Sequence, residues 1–202
     1  MNEVTPSRSN LLALKEERRV MQEGYVFLDE KCLLLAAAIL RELHAYDSLC
    51  ARLRAVQAEA SAALRGAFRR HGVQGLQCYP AGEWPASAVA ITQRSLLGVV
   101  LQEASLQGAP DEGGVPMHDS PEARSCRSVH QQLARGLVEL AAHAGNLERL
   151  YREYRRTMRR AHALQDVLLP EVGRSASEMD SFLEEQERDE ALWARRGISA
   201  RP

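Results

Sequence analysis

Apolar residues recur along the first third of the chain in one sustained register. Tyr25, Cys32, Ile39, Tyr46, Leu53, Ala60 and Ala67 follow one another at seven-residue steps. Leu28, Leu35, Leu49, Val56 and Ala63 fall three residues after members of that series. Extended backward, the register takes in Leu11, Leu14 and Met21. This is the a/d seam of a coiled coil, and no proline interrupts it between Ser7 and His71. A helix of that span is about 90 Å long. It cannot bury its stripe in a compact core, so it needs a partner of similar length.

Local chemistry bounds this first helix, which is assigned residues 1–71. Thr5 is placed as its N-cap with Pro6 at the first helical position, where the missing N–H costs nothing. Arg69, Arg70 and His71 suit the negative end of the helix dipole, and Gly72 supplies a left-handed stop. Gly24 is read as a point of close approach by another chain. Residues 72–120 then turn rich in glycine and proline. Val73 to Tyr79 and Ala86 to Gln93 are predicted as short strands, with Pro80-Ala81-Gly82 between them as a turn. Arg94 to Leu106 fits a third extended piece or a short helix, and Gln107 to Met117 a loop.

A second long helix is predicted over 121–196, with Ser120 as N-cap and Pro121 in the first position. Its heptad residues read as Leu133, Leu137, Leu140, Ala144, Leu147, Tyr151, Tyr154, Met158, Ala161, Leu168, Val172, Met179 and Phe182. Pro170 and Gly173 predict a kink with the hydrophobic phase kept. Residues 197–202 read as a frayed tail. The expected fold is therefore mainly α: a long antiparallel two-helix coiled coil with a small insert, containing a β-hairpin, at its tip. Position i should face roughly 195 − i, which sets Lys31 against the region of Leu164.

Composition narrows the function. The chain has 202 residues, with 26 Lys+Arg against 27 Asp+Glu. That balance argues against a dedicated nucleic-acid or membrane-surface binder. Aromatic content of 5% is low for a compact core of this size, whereas a leucine- and alanine-rich chain suits a seam. Met1 to Pro6 lacks the basic and apolar regions of a secretory signal. Cys32 to Leu40, the most apolar run, is too short to span a membrane. Cys32, Cys50, Cys78 and Cys126 lack CxxC spacing and read as reduced cytosolic thiols.

Candidate chemistry is sparse. No Walker-type phosphate loop, HExxH, GxSxG or paired CxxC occurs. Cys126 and His130 lie one helical turn apart, but two ligands make an incomplete metal site. No catalytic, cofactor or metal residue is therefore assigned. The run Arg152, Arg155, Arg156, Arg159 and Arg160 reads either as a solvated basic face or as a set of partners for carboxylates. Glu42 occupies a seam position and by the register lies near that run. A contact from Glu42 to Arg155 or Arg156 is expected.

These residues resemble the D subunit of the V-type and A-type rotary ATPases. Val4-Thr5-Pro6-Ser7-Arg8 followed by Leu11, Leu12, Leu14 and Lys15 is similar to that family's opening, as is Gly24 with Leu28 and Lys31. Tyr154-Arg155-Arg156-Thr157-Met158-Arg159-Arg160, followed by Ala163-Leu164 and Leu169-Pro170, resembles its most recognisable block. His162 and Gln165 stand where Asn and Glu are expected, and Cys32 where Arg is common. The resemblance implies a non-catalytic central shaft without cofactor. Such a shaft carries torque between a hexamer of catalytic A and B subunits and the membrane rotor ring. It implies as partners that hexamer, the small F subunit of the central stalk, and a funnel-shaped subunit joined to the ring. It implies a peripheral place on the cytoplasmic side of the membrane, with no membrane insertion and no nucleic acid. On this basis Arg8, Lys15, Arg18, Arg19, Glu184 and Glu185 are expected at the hexamer end. A static coiled-coil spacer or tether is the competing reading.

Overall fold

The structure is a computed structural model that describes residues 6–80, 82–110 and 119–199. Helix α1 covers Arg8–Gln77, strands β1 and β2 cover Val89–Leu96 and Val99–Leu106, and α2 covers Pro121–His162. A π-helical segment, Ala163–Leu168, leads into α3, Leu169–Ser199. The two long helical stretches pack together, and the two-stranded antiparallel hairpin is inserted between them in sequence.

Matching serine caps open both stretches. The Asn10 N–H donates to Ser7 Oγ at 3.2 Å, and the Leu11 N–H to the Ser7 carbonyl at 3.0 Å. Ser7 is therefore the cap, and Pro6 precedes the helix rather than opening it; Thr5 lies outside the described residues. Ser120 caps α2 as expected, its Oγ accepting from the Ala123 N–H at 3.1 Å, with Pro121 as the first helical residue. Gly72 leaves the helical conformation with φ 69°, which glycine alone adopts without strain. The chain then turns helical again through Gln77. The strand predicted over Val73 to Tyr79 is thus largely helix.

The hairpin lies later in the chain than expected. β1 is the second predicted strand displaced toward its C-terminal side, and Arg94 to Leu106 supplies the end of β1, a two-residue turn and all of β2. Leu96 pairs with Val99, so Leu97 (φ 52°) and Gly98 (φ 84°) form the turn. Two positive φ values in a two-residue loop match the right-handed strand twist. Residues 111–117 of the predicted loop lie outside the described residues. α3 is helical through Ser199, and residues 200–202 of the expected frayed tail lie outside the described residues.

The chain divides into two compact units, one formed by residues 1–34 with 154–202 and the other by residues 35–153. In the first, Leu11, Cys32, Ala161 and Ala176 are buried, with Thr157 among them. In the second, the helices and hairpin bury Leu35, Leu49, Leu53, Leu101 and Leu150. The α1 register is reproduced: every residue assigned to it is buried or half-buried.

The α2 register is half right. Leu133, Leu140, Leu147, Tyr154 and Ala161 face inward, but Leu137, Ala144 and Tyr151 are exposed. Val129, Gly136, His143, Leu150 and Thr157 also lie inward, the last four each one residue before an expected position. Apolarity misleads here because three of those five residues are not large hydrophobes.

The predicted kink is a π segment, within which the Leu169 N–H reaches back to the Leu164 carbonyl. Its wider turns precede Pro170, which can neither donate an N–H nor tolerate an α-helical carbonyl beside its ring. The hydrophobic phase is kept only in part across it. Leu168 is exposed while Leu169, Ala176 and Leu183 turn inward, each one residue beyond the expected phase, whereas Val172 and Met179 are half-buried as expected. Phe182 is likewise outside the seam. The expected register holds at Arg8–Glu187 and Lys15–Asp180. It then drifts, so that Leu164 lies beside Gly24 rather than opposite Lys31, one heptad early.

Candidate partner-contact surfaces

The unit holding both helix ends is laced by exposed ion pairs. Arg8 meets Glu187, and Lys15 Nζ meets Asp180 Oδ2 at 3.0 Å. Arg19 is shared between Glu16 at 2.6 Å and Glu23 at 2.8 Å along its own helix. The bond from Arg19 holds the Glu16 carboxyl below the usual carboxylate range, and the bond to Glu187 raises Arg8 above the usual guanidinium range. Arg18 lies alongside Gly173. Glu184 pairs with Arg188 at 3.1 Å, and Glu185 is exposed. Of the six residues expected at one end, Arg8, Lys15, Arg19 and Glu184 thus make ion pairs within the chain.

Between these charges runs an outward apolar stripe. Val20, Val26, Phe27, Leu33 and Leu34 lie on α1 away from its seam, with Phe27 and Leu33 each about two-thirds exposed. Trp193 and Leu192 are exposed near the end of α3. Outer positions of a two-helix coil are ordinarily polar. Here Val20, Phe27 and Leu34 follow one another at seven-residue steps, as do Val26 and Leu33, with exposed Glu23 and Glu30 between the two rows.

The hairpin unit is held by a polar clasp. Glu42 is 8% exposed, and its Oε1 accepts from Asn146 Nδ2 at 3.0 Å and meets His143 Nδ1 at 2.8 Å. Asn146, 2% exposed, also bonds the backbone of β2. Its Oδ1 accepts the Gln102 N–H at 2.8 Å, while its Nδ2 donates to the Gln102 carbonyl at 2.7 Å. Arg149 donates to Asn146 Oδ1 at 2.8 Å and also to the Gln102 side chain. The carboxamide of Asn146 therefore stands in for a neighbouring strand. Glu42 at a seam position signalled a polar partner. Nothing in the sequence indicated that the partner would be an asparagine tied to a strand. Arg155 and Arg156 belong to the other unit.

Two further contacts tie this unit together. His71 Nε2 sits 2.6 Å from Ser120 Oγ and 3.3 Å from Tyr79 Oη, which latches the end of α1 to the start of α2. Arg135 donates to the Gly108 carbonyl and lies over the Trp84 ring. Gly136 is the tightest of the described glycines: a Cβ there would come within 2.4 Å of Leu53 Cδ2. The same addition at Gly24 would make an ordinary 3.9 Å contact with Leu164 of the same chain.

No catalytic constellation emerges from these residues. Cys126 Sγ lies 3.6 Å from His130 Nδ1, but among the described residues no group of three or more His, Cys, Asp or Glu could hold a metal ion. The four cysteines are free thiols, and burial pushes the Cys32 thiol above its ordinary range. Among the described residues no helix is long and apolar enough to cross a membrane.

Residues 10–195 match the family described as the D subunit of ATP synthase. The chain is 27% identical to the V-type ATP synthase D subunit of Anaeromyxobacter dehalogenans strain 2CP-C, over 100% of this chain and 99% of that protein. It is 25% identical to the protein of the same name from Thermotoga neapolitana, over 96% of each. It is 26% identical to the A-type ATP synthase D subunit of Thermococcus sibiricus, over 92% of this chain and 89% of that one.

Proposed function

Because the chain belongs to the ATP synthase D-subunit family, we propose that it is the non-catalytic central shaft of a V/A-type rotary ATP synthase. In this reading it turns inside a hexamer of catalytic A and B subunits. It carries torque between that hexamer and the ion-translocating rotor ring, with the F subunit and a funnel-shaped subunit as further partners. It works peripherally, on the cytoplasmic side of the membrane.

The observation that carries this reading is the outward apolar stripe of Val20, Val26, Phe27, Leu33 and Leu34 on a helix whose seam is already satisfied. A helix pair enclosed by other subunits can present such a face; one standing free in water would associate through it. The ion pairs around the stripe are exposed and individually weak. Weak contacts suit a rotor that must meet successive hexamer conformations without being trapped by one. Arg8, Lys15, Arg18, Arg19, Glu184 and Glu185 belong to the hexamer end in this reading. Charge reversal among them should weaken the coupling of hydrolysis to ion pumping. The seam coupling of Glu42 with Arg155 or Arg156 is also part of it. A double-mutant cycle giving no interaction energy would remove that element.

The deciding experiment is reconstitution with the catalytic A and B subunits and the F subunit, followed by size exclusion and an ATP hydrolysis assay. One copy entering a complex of three A and three B, with altered turnover, is the expected result. Elution alone with turnover untouched would leave a helical hairpin serving as a tether.

A further inference from the structure

The two edges of the hairpin are not equivalent. Gln107 donates its N–H to the Ala88 carbonyl at 2.7 Å, and Leu96 pairs with Val99 across the two-residue turn. Bonded and non-bonded pairs alternate in an antiparallel ladder. Val89, Ile91, Gln93 and Ser95 therefore sit in non-bonded pairs, with their N–H and C=O groups directed away from β2. Their partners on β2 direct theirs to the opposite edge, and there Gln102 is already closed by the carboxamide of Asn146. The β1 edge has no such cover: among the described residues, no hydrogen bond is made to its outward amides, and all four residues are exposed.

Natural edges are blunted by proline, lysine or a bulge. The stretch Val89–Leu96 has no proline or lysine and pairs without a bulge over its full length. One of its faces carries exposed Val89 and Ile91, continued by Val100 beside Ser95. The charge on the other face is already matched, because Arg94 pairs with Glu103 at 3.5 Å. A two-stranded sheet is also marginal by itself.

We propose that β1 accepts a third strand, an extended segment of a neighbouring subunit. The backbone of that segment pairs with Val89, Ile91, Gln93 and Ser95, and its β-branched or aliphatic residues pack beside Val89 and Ile91. Its side chains carry no charge toward this edge. Main-chain bonds supply the affinity, and alternate side chains set the register. Such a joint has one fixed register and cannot be remade at each step of a rotation. If the chain is a rotor shaft, which is the one point that rests on the proposed function, the strand comes from a subunit that turns with it.

Hydrogen exchange with residue resolution tests this. The chain is tagged in its own cells and measured alone and in whatever complex retains it. Assembly should slow exchange at Ile91, Gln93 and Ser95 about tenfold or more, while Ala90, Thr92 and Arg94 are protected in both states. Gln93→Pro removes an N–H that the hairpin does not use and blocks the edge. Ile91→Lys sets a charge on the same edge while keeping every amide. Each should abolish the added protection with helical content unchanged. Outward amides that exchange equally fast alone and in the complex would overturn the inference and leave the shaft reading standing. Slowed exchange already present in a complex lacking A and B would support the strand and assign it to a subunit that turns with the chain, whereas slowing that appears only when A and B are added would overturn that source. Protection already present in a self-associated chain would assign the edge to a second copy and overturn the partner strand.

Discussion

The unit with the helix ends and the unit with the hairpin both pack one long helix against another, yet they bury different things. In the first, the inward residues include Cys32, Thr157, Ala161 and Ala176, large apolar residues face outward, and the ion pairs between its helices are exposed. In the second, Leu35, Leu101 and Leu150 are fully buried, and Glu42 and Asn146 are bonded out of water. Two helices alone can bury only a seam. The hairpin adds a third wall, and with it a place where a polar network is desolvated and where geometry matters to a fraction of an ångström. The polar network of the hairpin unit is closed within the chain. In the other, the contacts between the helices are a seam of small and apolar residues and exposed ion pairs.

The clasp gives the sharpest test of that contrast. Asn146→Leu removes the bonds to Gln102, Glu42 and Arg149 and strips a buried carboxylate of one donor. Denaturant unfolding should show a loss of about 3 kcal/mol. A loss as small as that from breaking Lys15–Asp180, at most about 1 kcal/mol, would mean that the two units are held alike.

Glycines separate the units by sign. Gly136→Ala drives a methyl into Leu53, and overpacking outweighs the helix-propensity gain, for a net loss of about 1 kcal/mol. Gly24→Ala meets open contact at 3.9 Å and should gain up to about 1 kcal/mol. Melting temperatures of the pair moving in the same direction would refute the packing difference.

Within the hairpin, Leu97 holds φ 52° without the freedom of glycine. Leu97→Asn should relieve roughly 1 kcal/mol of strain and raise the melting temperature. No change would mean that contacts of the Leu97 side chain offset its backbone cost.

The smallest effect is electrostatic and lies in the unit with the helix ends. Glu16 has its pKa lowered from 4.5 by Arg19. A lowered carboxyl contributes stability above its unfolded pKa and loses it as pH falls through the folded value. Glu16→Gln should therefore be slightly less stable than the parent at neutral pH, with the gap closing as pH falls below 4.5. A gap that persists in acid would point to packing rather than charge.

Much of the architecture was legible because its signals are local or periodic. The α1 seam carried apolar residues at nearly every inward position, so its burial followed. Ser120, Pro121 and Gly72 announced boundaries through cap and backbone chemistry. The α2 seam was harder to read because Gly136, His143 and Thr157 fill it, and Leu137 and Tyr151 imitate it from outside. A pattern of hydrophobicity cannot register a position held by a glycine that fits a leucine, or by a histidine that meets a carboxylate.

Two long helices, their antiparallel pairing, an intervening hairpin and a family can all be read from the residue order alone. Each follows from periodicity, caps or ordered motifs carried by neighbouring residues. Packing in three dimensions settled the rest: which side of α2 faces inward, where the phase slips at the π segment, and that Asn146 closes one hairpin edge. Those outcomes depend on what lies across the gap from a side chain, at separations such as the 104 residues between Glu42 and Asn146. Residues so far apart in sequence are brought together only by the packing itself.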